Sequence, residues 1–271
     1  MPELPEVETT LRGIQPYLLH QPIRELVIRN GHLRWPIQAD LPAILRGQSI
    51  QSLKRRGKYI LVGLDRGALL MHLGMSGSLR MAERETTPRK HDHYDLVLNA
   101  GNCLRFHDPR RFGCLLWTES DPKVHPLLAA LGPEPLEEGF DGQYLFDRSR
   151  GRTQAVKTFI MDSRIVVGVG NIYASESLFV AGIAPGTAAG SVTLADFRRL
   201  AGAIRSVLSA SIRQGGTTLR DFVNESGAPG YFSQQLNVYG REGEPCRACG
   251  APIQSGRWGQ RSTYWCPQCQ H

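Results

Sequence analysis

The sequence predicts an α+β fold with a β-rich N-terminal half, a helical C-terminal half and a small metal-braced hairpin at the end. Short strand-like runs closed by glycine and proline fill the first half, which is typical of a two-sheet β-sandwich. An apolar stripe at helical spacing follows Thr193. Two Cys-x-x-Cys pairs lie close to the end of the chain.

The β-rich half begins with a short helix. Residues 5–15 form it, because Val7, Leu11 and Ile14 share one face at helical spacing. Strands follow, and residues 99–102 (NAGN) offer a hairpin turn between two of them. The predicted strands are residues 23–28, 50–53, 59–64, 68–71, 94–98, 103–107 and 113–117.

The composition changes at residues 131–139, a stretch rich in proline, glycine and glutamate. We therefore predict a β-sandwich domain over 1–131, a linker over 132–139, a helical domain over 140–236 and a finger over 237–271. Thr193 and Asp196 resemble a capping box. The apolar stripe that follows comprises Leu194, Phe197, Leu200, Ala201, Ile204, Val207 and Leu208.

The two cysteine pairs predict one structural zinc ion. Each pair lets two thiolates bind a metal from a single tight turn, and two pairs supply a tetrahedral set. Residues 250–265 between them suffice for a β-hairpin, with Arg257 and Arg261 near its tip. Two disulfides are the alternative, which requires an oxidising compartment. The predicted ligands are Cys246, Cys249, Cys266 and Cys269.

Charge favours a polyanionic partner. The formal net charge is +7 and the sequence pI is about 9.3. No uninterrupted apolar run approaches the length of a membrane span. The acidic, proline-rich start does not resemble a signal peptide, so a cytoplasmic location and no membrane partner are expected.

The amino terminus offers a nucleophile. Removal of Met1 before the small residue Pro2 would leave a secondary amine. An α-amine has a pKa near 8 and a lysine near 10.4, so about a tenth of the former is unprotonated at pH 7. Attack on a sugar carbon would give a cationic iminium, and Glu3 could serve as general acid or base. The alternative is that the prolines only start a helix.

The chain resembles bacterial formamidopyrimidine-DNA glycosylase, the base-excision repair enzyme for oxidised purines, over essentially its whole length. The motifs that carry the resemblance include the four-cysteine finger and a series of short segments in the family's order. These are residues 2–8 (PELPEVE), 56–59 (RGKY), 72–77 (HLGMSG), 91–93 (HDH), 108–113 (DPRRFG) and 167–176 (VGVGNIYASE).

The resemblance implies a catalytic set. Pro2 would be the Schiff-base nucleophile and Glu3 the proton donor at the sugar. Lys58 would donate a proton during β-elimination, and Arg261 during δ-elimination while it holds the phosphate. Without the resemblance, Lys58 is one more solvated cation in a basic run.

Extrusion of a damaged nucleotide leaves a gap that apolar side chains and an arginine can fill. By resemblance Met75 and Phe112 are the void-filling pair, and Arg110 reads the opposite cytosine. Composition alone would place Met75 and Phe112 in a core.

Further DNA contacts follow from the same resemblance. The helix start after Gly168 and Gly170 is a ready phosphate site, and it places Asn171 on the DNA backbone in a helix–two-turns–helix element. His91 would approach the DNA, and His72 is a weaker phosphate contact. Arg152 and Lys157 are additional candidates, either of which could be an ordinary surface cation. The glycine-rich residues 215–231 would form a loop that covers the flipped purine.

These expectations define a bifunctional glycosylase and abasic-site lyase. It would act as a monomer on duplex DNA carrying 8-oxoguanine or formamidopyrimidines opposite cytosine, with no nucleotide cofactor. Two alternatives stay open at this point. One is the related endonuclease VIII, which takes oxidised pyrimidines, and the other is a non-enzymatic zinc-ribbon DNA-binding protein.

Overall fold

The computed structural model describes residues 2–216 and 235–271. The described chain divides into two compact units. Residues up to Ala129, with 214–216, form the first, and Ala130–Arg213 with residues 235–271 form the second. The domain bounds predicted from composition remain predictions.

The first unit opens with helix α1, Leu4–Leu18. Its apolar stripe extends beyond the predicted end at residue 15, since Leu18 is also fully buried. Pro5 lies in the first turn, where its missing N–H costs nothing. The backbone N–H of Glu3 donates to Oε2 of Glu6 at 2.9 Å, one half of a capping box that fixes the helix start.

Two four-stranded antiparallel sheets pack on this helix. One has the strand order β1-β6-β7-β5 and the other β2-β3-β4-β8. Side chains from both sheets and α1 form a single apolar core, including Leu11, Val62, Leu96 and Phe106. The elements are β1 Ile23–Ile28, α2 Leu41–Leu45, β2 Ile50–Arg56, β3 Tyr59–Leu64, β4 Ala68–His72, β5 Ser78–Glu83, β6 Asp92–Leu98, β7 Asn102–His107, β8 Cys114–Thr118 and α3 Pro126–Ala129.

The second unit is helical and carries a hairpin. Its elements are α4 Gly142–Ser149, α5 Val156–Met161, α6 Asn171–Ala181, α7 Leu194–Arg213, β9 Gln254–Trp258 and β10 Arg261–Trp265. Residues 132–139, the predicted linker, lie within this unit. The Gly132 N–H donates to the Ser163 carbonyl at 2.8 Å, and Glu134 is buried. One hydrogen bond of the predicted capping box is present, since the Thr193 hydroxyl accepts the Asp196 N–H at 3.1 Å, and the same hydroxyl donates to the Asp196 carboxylate at 2.7 Å.

The predicted fold class is confirmed: two antiparallel sheets, a helical region and a C-terminal cysteine cluster with a β-hairpin. Strand β5 was not predicted, although its first four residues, SLRM, alternate polar and apolar side chains as a strand does. Among the described residues, no helix is both long and apolar enough to span a bilayer.

Candidate active site and metal centre

The predicted nucleophile and acid lie at the amino end of α1. Pro2 precedes the helix and is buried. Glu3 is the N-cap residue and is 2% exposed. The amino end of a helix carries a partial positive charge of about half an elementary unit. A second positive charge on a nearby amine is therefore disfavoured.

Lys58 lies in the tight turn that joins β2 to β3. Arg56 pairs with Tyr59, so Gly57 and Lys58 form a two-residue hairpin. Gly57 has φ +57°, which a type II′ turn requires at its first position. Nε of Arg55, just before the turn, donates to Oε2 of Glu8 on α1 at 2.9 Å. This ion pair ties the first turns of α1 to the end of β2 beside Lys58.

His72, at the end of β4, is held in one protonation state. Burial is the largest cause, followed by the positive charges of Lys58 and Arg34, and together they lower the pKa of His72 to about 4. The Gly74 N–H donates to His72 Nδ1 at 2.9 Å, which assigns the proton to Nε2. The ring lies 4.7 Å from that of Tyr59. At neutral pH His72 is therefore an uncharged hydrogen-bond donor.

Met75, Arg110 and Phe112 lie on two loops of the first unit, residues 73–77 between β4 and β5 and residues 108–113 between β7 and β8. Phe112 is 43% exposed, and the Arg110 guanidinium lies 5.0 Å from its ring. Arg111 between them adopts φ +56°, a left-handed conformation that is strained for a side chain with a Cβ. An exposed aromatic ring beside an arginine is suited to contact a base pair rather than a core.

The histidines of residues 91–93 do not form a metal site. His93 is buried, with its Nε2 2.7 Å from the Asp108 carbonyl. His91 is partly exposed, and its ring lies 5.9 Å from that of His107. Throughout residues 2–216 and 235–271, the only cluster of candidate metal ligands is the group of four cysteines. His93 therefore has a structural place, and His91 remains a candidate for DNA contact.

Asn171 is the first residue of α6 and directly follows Gly170, as the sequence predicted. Its side chain is fixed on both sides. Oδ1 accepts from Lys157 Nζ at 2.7 Å, and Nδ2 donates to the Ser262 carbonyl at 2.9 Å. Asn171 is partly exposed, so a phosphate can reach the amino end of α6.

Lys157, a candidate either for DNA contact or for an ordinary surface cation, is instead a buried cation. The residue is 1% exposed. Its ammonium donates to Asn171 Oδ1, to the Ser262 carbonyl at 2.9 Å and to Thr263 Oγ1 at 2.7 Å. A buried ammonium requires such partners. Lys157 thus joins the start of α6 to the beginning of β10.

A second buried charge, Glu176 on α6, escaped the sequence reasoning. Its carboxylate accepts the backbone N–H groups of Asn237, Val238 and Tyr239 at 2.8–2.9 Å, which fixes the segment that precedes the finger. A signal was present, since Glu176 is the only charged residue in the helix sequence NIYASESLFVA. Arg152, by contrast, is exposed in the loop after α4, where it can meet a ligand.

The four cysteines fit one zinc ion. Their sulfur atoms all lie within 4.8 Å of one another, with Cys246 Sγ 3.9 Å from Cys269 Sγ and Cys249 Sγ 3.4 Å from Cys266 Sγ. Tetrahedral zinc with Zn–S bonds of about 2.3 Å places its sulfurs about 3.8 Å apart. Hydrogen bonds with neighbouring cysteines, Cys249 first, raise the pKa of Cys269 to about 12. All four sulfurs can be thiolates together only around a cation, so the residues hold a structural zinc.

The zinc-braced hairpin exposes an arginine. Gly259 and Gln260 both have positive φ, +53° and +61°, as a type I′ turn requires. Arg261 follows directly, pairs with Trp258 across the hairpin and is exposed. The turn chemistry therefore fixes the position of Arg261 on the finger.

Family models match three segments of the chain. The Formamidopyrimidine-DNA glycosylase N-terminal domain matches residues 1–115, the Formamidopyrimidine-DNA glycosylase H2TH domain matches 131–223, and a zinc finger found in FPG and IleRS matches 243–271. The chain is 61% identical to the Formamidopyrimidine-DNA glycosylase of Methylococcus capsulatus and 57% identical to that of Xanthomonas oryzae, in both cases over 100% of each chain.

Solved structures give the same picture. The MutM (FPG) protein of Thermus thermophilus superposes with a TM-score of 0.89 at 41% identity, covering 99% of this chain and 98% of that one. The Lactococcus lactis Fpg in complex with DNA containing an abasic site gives a TM-score of 0.90 at 32% identity and 99% coverage of both chains.

Proposed function

This chain belongs to the formamidopyrimidine-DNA glycosylase family, and we propose that it excises oxidised purines from duplex DNA and then cleaves the strand at the resulting abasic site. The observation that carries the proposal is that Pro2 and Glu3 are buried at the start of α1, a helix that the Arg55–Glu8 ion pair ties to the end of the strand before Lys58. The related Lactococcus lactis enzyme binds DNA that contains Fapy-dG or an abasic site. Its substrate class is therefore the one proposed for this chain.

The reaction begins at the amine of Pro2, once Met1 has been removed. The nitrogen lone pair attacks C1′ of the damaged nucleotide, and the bond from C1′ to the base breaks. Opening of the sugar ring gives an iminium between Pro2 and C1′. Glu3 donates the proton that the ring oxygen takes up when its bond to C1′ breaks. The positive end of α1 supports the reaction because it disfavours a second positive charge on the attacking amine.

Strand cleavage uses the iminium as an electron sink. Loss of the C2′ proton converts the iminium into an enamine, and the electron pair of the enamine then expels the 3′ phosphate and restores a conjugated iminium. Loss of the C4′ proton in a second elimination expels the 5′ phosphate. Lys58 donates a proton in the first elimination. Arg261 holds a phosphate and donates in the second. No nucleotide cofactor is required.

Extrusion of the damaged nucleotide requires replacement of its stacking contacts. Met75 and Phe112 enter the gap, and Arg110 hydrogen-bonds the orphaned base, which is preferably cytosine. The exposure of Phe112 and its contact with the Arg110 guanidinium support this assignment.

Several polar side chains are proposed to hold the DNA backbone. Asn171 contributes at the start of α6, and Arg152 from its exposed loop. His72 contributes the Nε2–H of its neutral ring, and His91 approaches from the edge of β6. We also propose a monomer that works in the cytoplasm on the nucleoid. Residues 217–231 of the covering loop lie outside the described residues.

Paired duplexes test the substrate class. The protein is incubated with one duplex carrying 8-oxoguanine opposite cytosine and one carrying thymine glycol, and strand cleavage is followed on a gel. The proposal expects faster cleavage of the 8-oxoguanine duplex. Preference for thymine glycol would favour the endonuclease VIII alternative, and intact strands in both duplexes would favour a non-enzymatic DNA-binding protein.

A further inference from the structure

The two loops that carry the void-filling side chains touch through their backbones. Gly74 has φ +68°, and a Cβ at this position would lie 2.4 Å from both Phe112 C and Gly113 N. Gly113 is packed as closely, since its Cβ would lie 2.7 Å from the His72 carbonyl oxygen. Glycine at both positions therefore lets residues 73–77 and 108–113 meet without intervening side chains.

A buried carboxylate joins the same two loops. Asp108 is 0% exposed. Its Oδ1 accepts the Ser76 hydroxyl at 2.7 Å, and its Oδ2 accepts the Gly113 N–H at 2.8 Å. The Arg110 N–H lies 3.2 Å from Ser76 Oγ and 3.3 Å from Asp108 Oδ1. The Ser76 hydroxyl thus donates to one end of the second loop and accepts from its middle.

We propose that Asp108 and Ser76 are positioning residues that lock the two loops into one preformed wedge. The inference rests on the proposed function, because it concerns the insertion of Met75, Phe112 and Arg110 into the gap. Ser76 directly follows Met75, and its hydroxyl bonds both to the Asp108 carboxylate and to the backbone N–H of Arg110.

Preorganisation explains why the lock matters. Ordering two independent loops on the DNA would cost conformational entropy at the moment of insertion. The left-handed Arg111 marks a conformation that the surroundings must enforce. Asp108 enforces it directly, because its carbonyl accepts the Arg111 N–H at 3.2 Å.

Ser76→Ala tests the lock with the smallest change, and Ser78→Ala is the matched control. Ser78 is a buried serine at the start of β5, outside the wedge. Insertion is measured by stopped-flow fluorescence of 2-aminopurine placed opposite a tetrahydrofuran abasic analogue, which needs no catalysis. We expect about tenfold slower insertion for Ser76→Ala, the effect of losing a hydrogen bond to a charged group. Ser78→Ala should match the wild type.

A second substrate separates positioning from general structure. Single-stranded DNA with an abasic site requires no wedge, so Ser76→Ala should cleave it at the wild-type rate, and Ser76→Thr should recover insertion because it keeps the hydroxyl. Wild-type insertion rates in Ser76→Ala would overturn the inference, as would an equal loss on both substrates. If the wild type inserts but cleaves neither substrate, the proposed function fails while the lock stands.

Discussion

Acidification should destabilise the protein through His72, because the folded state holds this imidazole neutral. Burial, assisted by the charges of Lys58 and Arg34, lowers the pKa of His72 from 6.5 to about 4. Between these two values the unfolded chain binds more protons than the folded chain. Stability is therefore full above pH 6.5 and falls as the pH drops toward 4.

The pKa difference sets the size of this effect. One pKa unit corresponds to about 1.36 kcal/mol, so the complete change is worth about 3 kcal/mol. The part lost between pH 7 and pH 5 is about 2 kcal/mol. His72→Gln keeps a polar side chain that does not titrate, so its free energy of unfolding should depend less on pH by this amount. Removal of one charge in Lys58→Met should raise the pKa of His72 only in part, because burial is the larger cause.

Urea unfolding at both pH values measures the effect, and an NMR titration of the imidazole Cε1–H assigns it to His72. His32→Gln is the matched control, since that ring is exposed, and it should keep the pH dependence of the wild type. A His72 resonance that titrates near pH 6.5 would refute the reasoning. So would a His72→Gln protein that loses as much stability at pH 5 as the wild type.

Three further outcomes are expected. Lys157→Met should lower the free energy of unfolding by about 3 kcal/mol in urea denaturation, because Asn171 and the finger lose a buried charged partner. The control Lys123→Met removes an exposed lysine and should change the free energy of unfolding by less than about 0.5 kcal/mol. An equal loss of stability in the two variants would contradict the assigned role of Lys157. Chelation of zinc should abolish DNA binding in a gel-shift assay while the β-sheet signal of the first unit persists in circular dichroism, whereas global unfolding would show that the units are not independent. The affinity for DNA should fall steeply as salt is raised, with a slope of about −0.9 per phosphate contact, and a flat response would count against a phosphate interface.

The sequence predicted the elements whose signals are local. Strands such as Tyr59–Leu64 have alternating or continuous apolar residues between turns that contain glycine. The structure forms this strand over the predicted residues. The cysteine spacing predicted the finger and its hairpin, because two ligand pairs in tight turns leave little freedom. Thr193 was predicted to cap the helix that follows it, and its hydroxyl accepts the Asp196 N–H at the start of α7.

Other features depend on contacts between distant residues, which no local pattern records. Lys157 resembled a surface cation because its partners lie 14 residues away and on β10. Asp108 is the first residue of the DPRRFG motif, yet its hydrogen-bond partner Ser76 lies 32 residues earlier in the sequence. Buried polar groups of this kind are identified only once the fold shows what surrounds them.

Covalent trapping of the amino terminus tests the central claim most directly. The protein is mixed with duplex DNA containing 8-oxoguanine, borohydride is added during turnover, and the cross-linked peptide is mapped by mass spectrometry. We predict a reduced adduct on the nitrogen of Pro2 in a chain that lacks Met1. An adduct on an internal lysine such as Lys58, or no adduct while the strand is still cleaved, would contradict the proposed mechanism.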